Sequence, residues 1–223
     1  MSRRAYNVQH TLPGLVLDLP LYSASLKHMT DRCGNTLHGF GDGMAAQTVT
    51  QNGMTGIRMP LSYTSMPQWT FEPITDGCYT YSYFFVDGGV RGHGWAWECF
   101  TYGGGSATVE LASATSSGGI KLRLFAGLSG YGGACYGYSD EIHFVTVAVE
   151  GAQVELYVDG VRGATSEKLK YRPFDCVGLR WGVSDGNNSS NAVFRQFKLF
   201  RRTLTADEVA ALYVEEQKYL TVV

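Results

Sequence analysis

Ile142-His143-Phe144-Val145-Thr146-Val147-Ala148-Val149-Glu150-Gly151, followed by Val154-Glu155-Leu156-Tyr157-Val158-Asp159-Gly160, decides the fold class. The first run is almost continuously apolar, as expected of a central strand covered on both faces. Glu150-Gly151 turns the chain into the second run, and Asp159-Gly160 turns it again. Asp-Gly between alternating runs is a strong hairpin signal, because both turn residues tolerate positive φ. Consecutive hairpins imply an antiparallel meander.

The same period of two extends outward. Tyr79, Tyr81, Tyr83 and Phe85 fall on one face of a strand that ends at Asp87-Gly88-Gly89. Ile120, Leu122 and Leu124 alternate with Lys121 and Arg123, a strand with one wet face. Trp95 and Trp97 share a strand face and suit core packing. Leu15 to Tyr22 reads as a first strand, after an arm over residues 1 to 13. Ser23 to Gly56 is Gly-rich and broken, so short strands between tight turns are expected. Pro60 to Pro73 holds three prolines and is expected to be a loop anchored by Trp69 and Phe71. One helix is marked: Thr205-Ala206-Asp207-Glu208 is a capping box, and Val209, Leu212 and Tyr213 form its apolar stripe. So short a stripe must lie on a larger body. Tyr219 to Val223 then reads as a strand-like tail.

Bulk composition agrees. A chain of 223 residues, 44% of them hydrophobic, suits one large β-sandwich. Its 28 glycines exceed the ~7% average and follow no G-X-Y period, so collagen is excluded and many turns are implied. With 18 basic and 20 acidic residues interspersed, no basic block points to nucleic acid or an anionic membrane. No apolar run approaches the ~18 residues of a membrane span, and the N-terminus lacks the apolar stretch of a signal peptide. Five widely spread cysteines (Cys33, Cys78, Cys99, Cys135, Cys176) without a C-x-x-C pair suggest free, mostly buried thiols; two disulfides plus one spare thiol is the alternative. The five histidines show no zinc spacing.

Three segments resemble the laminin-G-like, pentraxin-related branch of the concanavalin A-like lectin/glucanase superfamily. Val193-Phe194-Arg195-Gln196-Phe197-Lys198-Leu199-Phe200-Arg201-Arg202-Thr203-Leu204, then Thr205 to Val209, is similar to that family's last strand and short helix. Val154 to Gly160 resembles its "hydrophobic-x-Leu-Tyr-hydrophobic-Asp-Gly" hairpin. Asp31 with Gly34-Asn35 fits its opening. The resemblance covers most of residues 14 to 215 and implies a two-sheet antiparallel jelly-roll sandwich with one short C-terminal helix. Residues 1 to 13 are then an N-terminal arm and 216 to 223 a C-terminal tail. Relatives often hold calcium with acids in the last strand, where Arg195 and Gln196 stand in this chain. A cation in place of a carboxylate repels calcium, so no cofactor is expected.

The superfamily's hydrolases carry E-x-D-x-E or a close variant on one strand face, and no such run exists in this sequence. Asp140 and Glu141 are adjacent and face opposite ways, Glu150 and Glu155 flank a turn, and Glu98 stands alone. No G-x-S-x-G elbow or phosphate loop appears; Gly103-Gly104-Gly105 has no helix or Lys after it. An enzyme is therefore not expected. The most suggestive surface is Leu128 to Asp140, a Gly-rich loop presenting Tyr131, Tyr136 and Tyr138 beside Asp140. Asp185 and Asn187, in Ser184 to Ser190, could offer oxygens to sugar hydroxyls, although a turn-rich connector is the plainer reading. The Asn-x-Ser matches in that loop have no meaning without secretion.

A signal-free lectin-like domain with an arm and a strand-like tail resembles virion proteins of tailed bacteriophages. That reading implies capsid decoration, fibre or tail subunits as partners, the chain itself among them, and assembly in a host cytoplasm. Its rivals are a free-standing carbohydrate-binding module and, further off, a glycan-cleaving enzyme using Glu98 or Asp140. Fold alone does not choose between lectin and structural subunit.

Overall fold

Residues 12–22, 31–35, 37–38, 47–58, 68–86, 93–100, 106–113, 120–126, 136–138, 141–151, 153–163, 176–181 and 192–220 are described by the computed structural model. Among these, fifteen strands precede one helix. They are β1 (Leu15–Leu19), β2 (Leu37–His38), β3 (Gln47–Gln51), β4 (Met54–Arg58), β5 (Gln68–Ile74), β6 (Cys78–Val86), β7 (His93–Phe100) and β8 (Ser106–Ser113). The later ones are β9 (Ile120–Ala126), β10 (Tyr136–Tyr138), β11 (Ile142–Glu150), β12 (Gln153–Val158), β13 (Val161–Arg162), β14 (Cys176–Trp181) and β15 (Val193–Phe200), followed by α1 (Ala206–Gln217).

Two antiparallel sheets form an all-β sandwich with one short helix. The first runs β13-β12-β11-β6-β15-β4-β3, with β1 also paired to β15; the second runs β10-β9-β8-β7-β14-β5-β2. At the centre of the first sheet, β11 and β6 pair in unbroken register from Ile142↔Val86 to Glu150↔Cys78. Both strands are buried on both faces, which is why Ile142 to Val149 is almost continuously apolar. One face looks into the sandwich: Tyr81 and Tyr83 stack on Phe197, with centroids 5.9 and 6.2 Å apart. The other carries Phe84, Val86, Phe144, Ala148, Val193 and Phe200, covered by Leu204, Val209 and Leu212. Arg201 joins the two sheets, donating to Glu72 O at 2.7 Å on β5.

The turns follow from residue type. Asp159 and Gly160 have φ of 53° and 76°, the paired positive values of a two-residue hairpin turn. The Asp159 carboxylate also accepts from Phe144 N (2.8 Å) and meets His143 Nδ1 (2.7 Å), pinning the turn to β11. In β15 the pairing with β6 shifts by one residue between Arg195 and Lys198, where Gln196 has φ 55°. This bulge sends both Phe194 and Phe197 into the sandwich and both Arg195 and Lys198 toward the helix face.

Several expectations need correction. Pro60 to Pro73 is not wholly a loop, because Gln68–Ile74 forms β5; Pro73 is accommodated where the β5–β14 register shifts. Tyr136–Tyr138, expected inside a long loop, forms β10 against β9. Cys33 and Cys78 are free thiols as expected, but Cys33 is exposed and Cys78 half-buried. Tyr219 and Leu220 belong to the turn that ends α1, and Leu220 packs on the core. No helix among the described residues is long and apolar enough to cross a membrane.

Candidate functional site

The outward face of β12 builds a cleft. Its alternate residues Leu156 and Val158 point into the sandwich, so Gln153, Glu155 and Tyr157 take the opposite face. The Asp159-Gly160 turn returns the chain so that Arg162 stands across from Tyr157. Ala148 and Glu150 of β11 extend this wall, and Thr203 to Ala206, leading into α1, form the other. Together they enclose about 290 Å³.

Glu155 is the centre of the wall. It accepts from Tyr157 Oη at 2.5 Å, from Gln153 Nε2 at 3.0 Å and from the Arg162 guanidinium. Tyr157 is buried as the floor of the cleft. Desolvation, and then its hydrogen bond to Glu155, push its phenol up to about 12. It is a fixed donor.

The facing wall is held from below. The Thr80 hydroxyl accepts from Leu204 N at 2.9 Å and donates to Arg202 O at 3.0 Å. Thr203 Oγ1 donates to Val149 O at 2.5 Å. Glu208 accepts from Thr205 N at 2.9 Å while Glu208 N donates to Thr205 Oγ1, the capping box read from sequence. Arg202 grips the same carboxylate through both terminal nitrogens at 2.8 and 2.7 Å. The Arg202 hydrogen bonds hold Glu208 down at about 2.

The described residues that line this cleft include none of the ligand-binding candidates chosen from sequence. Tyr136 and Tyr138 lie on β10, opposite Leu122 and Ile120 at the far edge of the second sheet. Tyr131, Asp140, Asp185 and Asn187 lie outside the described residues. Glu98 is on β7, across from Arg180 and Thr108. Arg195 donates to Thr55 O and Tyr219 O, and Gln196 Nε2 lies 3.5 Å from Asp18 Oδ1, so both positions weighed for calcium present hydrogen-bond donors. Asp31 is buried and accepts from Asp18 N, Asn35 N and Asn35 Nδ2 at 2.6 to 2.8 Å, which gives the Asp31-to-Asn35 motif a structural role. Among the described residues no three His, Cys, Asp or Glu side chains gather as a metal site. Glu150 and Glu155, set aside because they flank a turn, line one cleft. The readable signal was Gln153-x-Glu155-x-Tyr157 before a two-residue turn, which fixes Arg162 as the cross-strand neighbour.

This architecture is that of β-sandwich domains in several proteins that act on or bind glycans. The fourth domain of the GH43 extracellular arabinanase of Geobacillus stearothermophilus, solved with arabinotriose, matches with a TM-score of 0.62 at 15% identity, over 90% of this chain and 99% of that domain. The ligand-binding domain of botulinum neurotoxin serotype D, solved with N-acetylneuraminic acid, matches at 0.63 and 14%, over 91% of this chain and 51% of that one. Trypanosoma rangeli sialidase matches at 0.67 and 15%, over 95% and 34%. The chain thus spans about half of the neurotoxin domain and a third of the sialidase. At such identities the likeness is one of fold. No protein-family model matches the sequence, and no curated protein does.

Proposed function

We propose that this chain is a non-catalytic carbohydrate-binding module with a lectin-like fold, of the concanavalin A-like kind. The observation that carries the reading is the arabinanase domain: 99% of that domain, solved with arabinotriose, is matched by 90% of this chain. The correspondence spans nearly the full length of both chains. The Glu155 cleft supplies what a sugar needs, namely a polar wall, an aromatic floor and a rigid frame. A non-catalytic role fits its hydrogen bonding. Glu155 is engaged by three donors, and a phenol that stays protonated to about 12 is a poor nucleophile at neutral pH.

The test is a glycan array followed by calorimetry on the hits. Saturable binding without release of reducing ends is expected. A flat array would end the reading, and hydrolysis abolished by Glu155→Gln would replace it with the enzyme. The virion role rests on residues 1–13 and the C-terminal tail, most of which lie outside the described residues, and none of the fold neighbours named above is a virion protein. Light scattering separates the two: the module is monomeric, whereas a virion subunit self-associates.

A further inference from the structure

We infer that the Glu155 cleft takes neutral, hydroxyl-rich sugars and discriminates against carboxylated ones. This rests on the carbohydrate-binding reading and adds the ligand's chemical class and its place on the fold. The argument is a donor and acceptor inventory. Tyr157 spends its single O–H on Glu155, and Thr203 spends its own on the Val149 carbonyl. Gln153 and Arg162 each commit N–H groups to Glu155. Thr205 Oγ1 accepts from Glu208 N. The walls therefore hold out the lone pairs of the Tyr157 and Thr203 hydroxyl oxygens, the Gln153 carbonyl and the Glu150 and Glu155 carboxylates, alongside the Thr205 O–H, the second Gln153 N–H and the Arg162 guanidinium.

A sugar hydroxyl both donates and accepts and so suits this mixed set, whereas an ionised carboxylate brings acceptors only and cannot satisfy the two carboxylates. Charge acts in the same direction. Two carboxylates, Glu150 and Glu155, stand against one cation, Arg162, among the described lining residues, and Arg162 already pairs with Glu155. An anionic sugar meets net repulsion. The cavity of about 290 Å³ falls just short of the usual range for ligand pockets, roughly 300 to 1,000 Å³, so it suits one or two rings.

The experiment titrates the full chain with a panel of neutral oligosaccharides that includes arabinotriose, and with sialylated and uronic oligosaccharides. The wild type should bind a neutral member at least about tenfold more tightly than its acidic counterpart. Glu155→Gln and Gln153→Ala should each weaken the neutral ligand by about tenfold, while Tyr136→Ala and Tyr138→Ala leave it unchanged. Glu150→Gln should narrow the gap between neutral and acidic ligands. Circular dichroism and the melting temperature show whether each variant is folded. Equal or tighter binding of acidic sugars, or loss of binding with the tyrosine changes and not with Glu155→Gln, overturns this inference and leaves the module intact. If neither panel binds the wild type, the module reading falls too.

Discussion

Lys198 Nζ donates to Glu216 Oε1 across 2.7 Å, with both side chains fully buried. The β15 bulge makes the pair possible, because it turns Lys198 toward the helix face. Glu216 completes the buried side of α1 begun by Val209 and Leu212, at a position where an apolar residue would otherwise be expected. The pair fixes where the last turn of the helix sits. Arg195, on the same face of β15, donates to Tyr219 O just beyond that turn.

Removing one partner leaves a buried charge without its counter-ion, which typically costs about 3–5 kcal/mol. Lys198→Met and Glu216→Leu should each lower stability by about that amount in urea unfolding. The double variant should recover most of the loss, because desolvating the pair offsets much of its attraction. Additive losses would show that the two charges do not depend on each other.

The Arg202–Glu208 fork makes stability acid-dependent. Glu208 titrates at about 2 in the fold against 4.5 for a free glutamate. Because the folded value is depressed, the stabilisation is complete above pH 4.5 and is lost as pH falls from there toward about 2. Glu208→Gln should therefore be less stable than wild type at pH 7, with the gap closing between pH 4.5 and 2. A gap that stayed constant to pH 2 would show that Glu208 gains nothing from Arg202.

Much of the fold was readable because it follows local rules. The Asp159-Gly160 turn, the Thr205 capping box and the Tyr79 to Phe85 alternation each stand where residue chemistry puts them. The bulge at Gln196 was not readable, since one extra residue inverts the facing of Phe194 relative to Phe197 and nothing marks the site as Gly or Asn would. β5 was hidden by Pro67 and Pro73. The hairpin of β3 and β4 turns on Asn52-Gly53, a strong signal masked by flanking Thr and Gln, which are largely exposed on β3. The cleft escaped for a different reason. Its walls come from β11, β12, β13 and the segment before α1, and a search for local motifs does not join segments some 40 residues apart in sequence.

Gly56 lies where β4 meets β15. A Cβ there would collide with the Phe194 carbonyl oxygen and sit 2.9 Å from Val193 Cγ1. Backbone cannot yield as a flexible side chain does. Gly56→Ala should cost about 1–3 kcal/mol, read as a lower urea midpoint with an unchanged slope. An unchanged midpoint would mean that β4 and β15 separate at no cost.

Cys33 is exposed, yet its thiol is pushed up to about 12, by desolvation first and then by the carboxylates of Asp31 and Asp18. Thiolate is the reactive form, so accessibility alone misleads about this residue. At pH 8, iodoacetamide should modify Cys33 in the folded protein far more slowly than in the urea-unfolded chain, where an ordinary thiol near pKa 8.5 is restored. The folded-state rate should keep rising about tenfold per pH unit through pH 10, as long as the fold survives. A rate that levels off near pH 9 would place the thiolate outside the influence of Asp31 and Asp18, and with it the tight turn that Asp31 holds against Asp18 and Asn35.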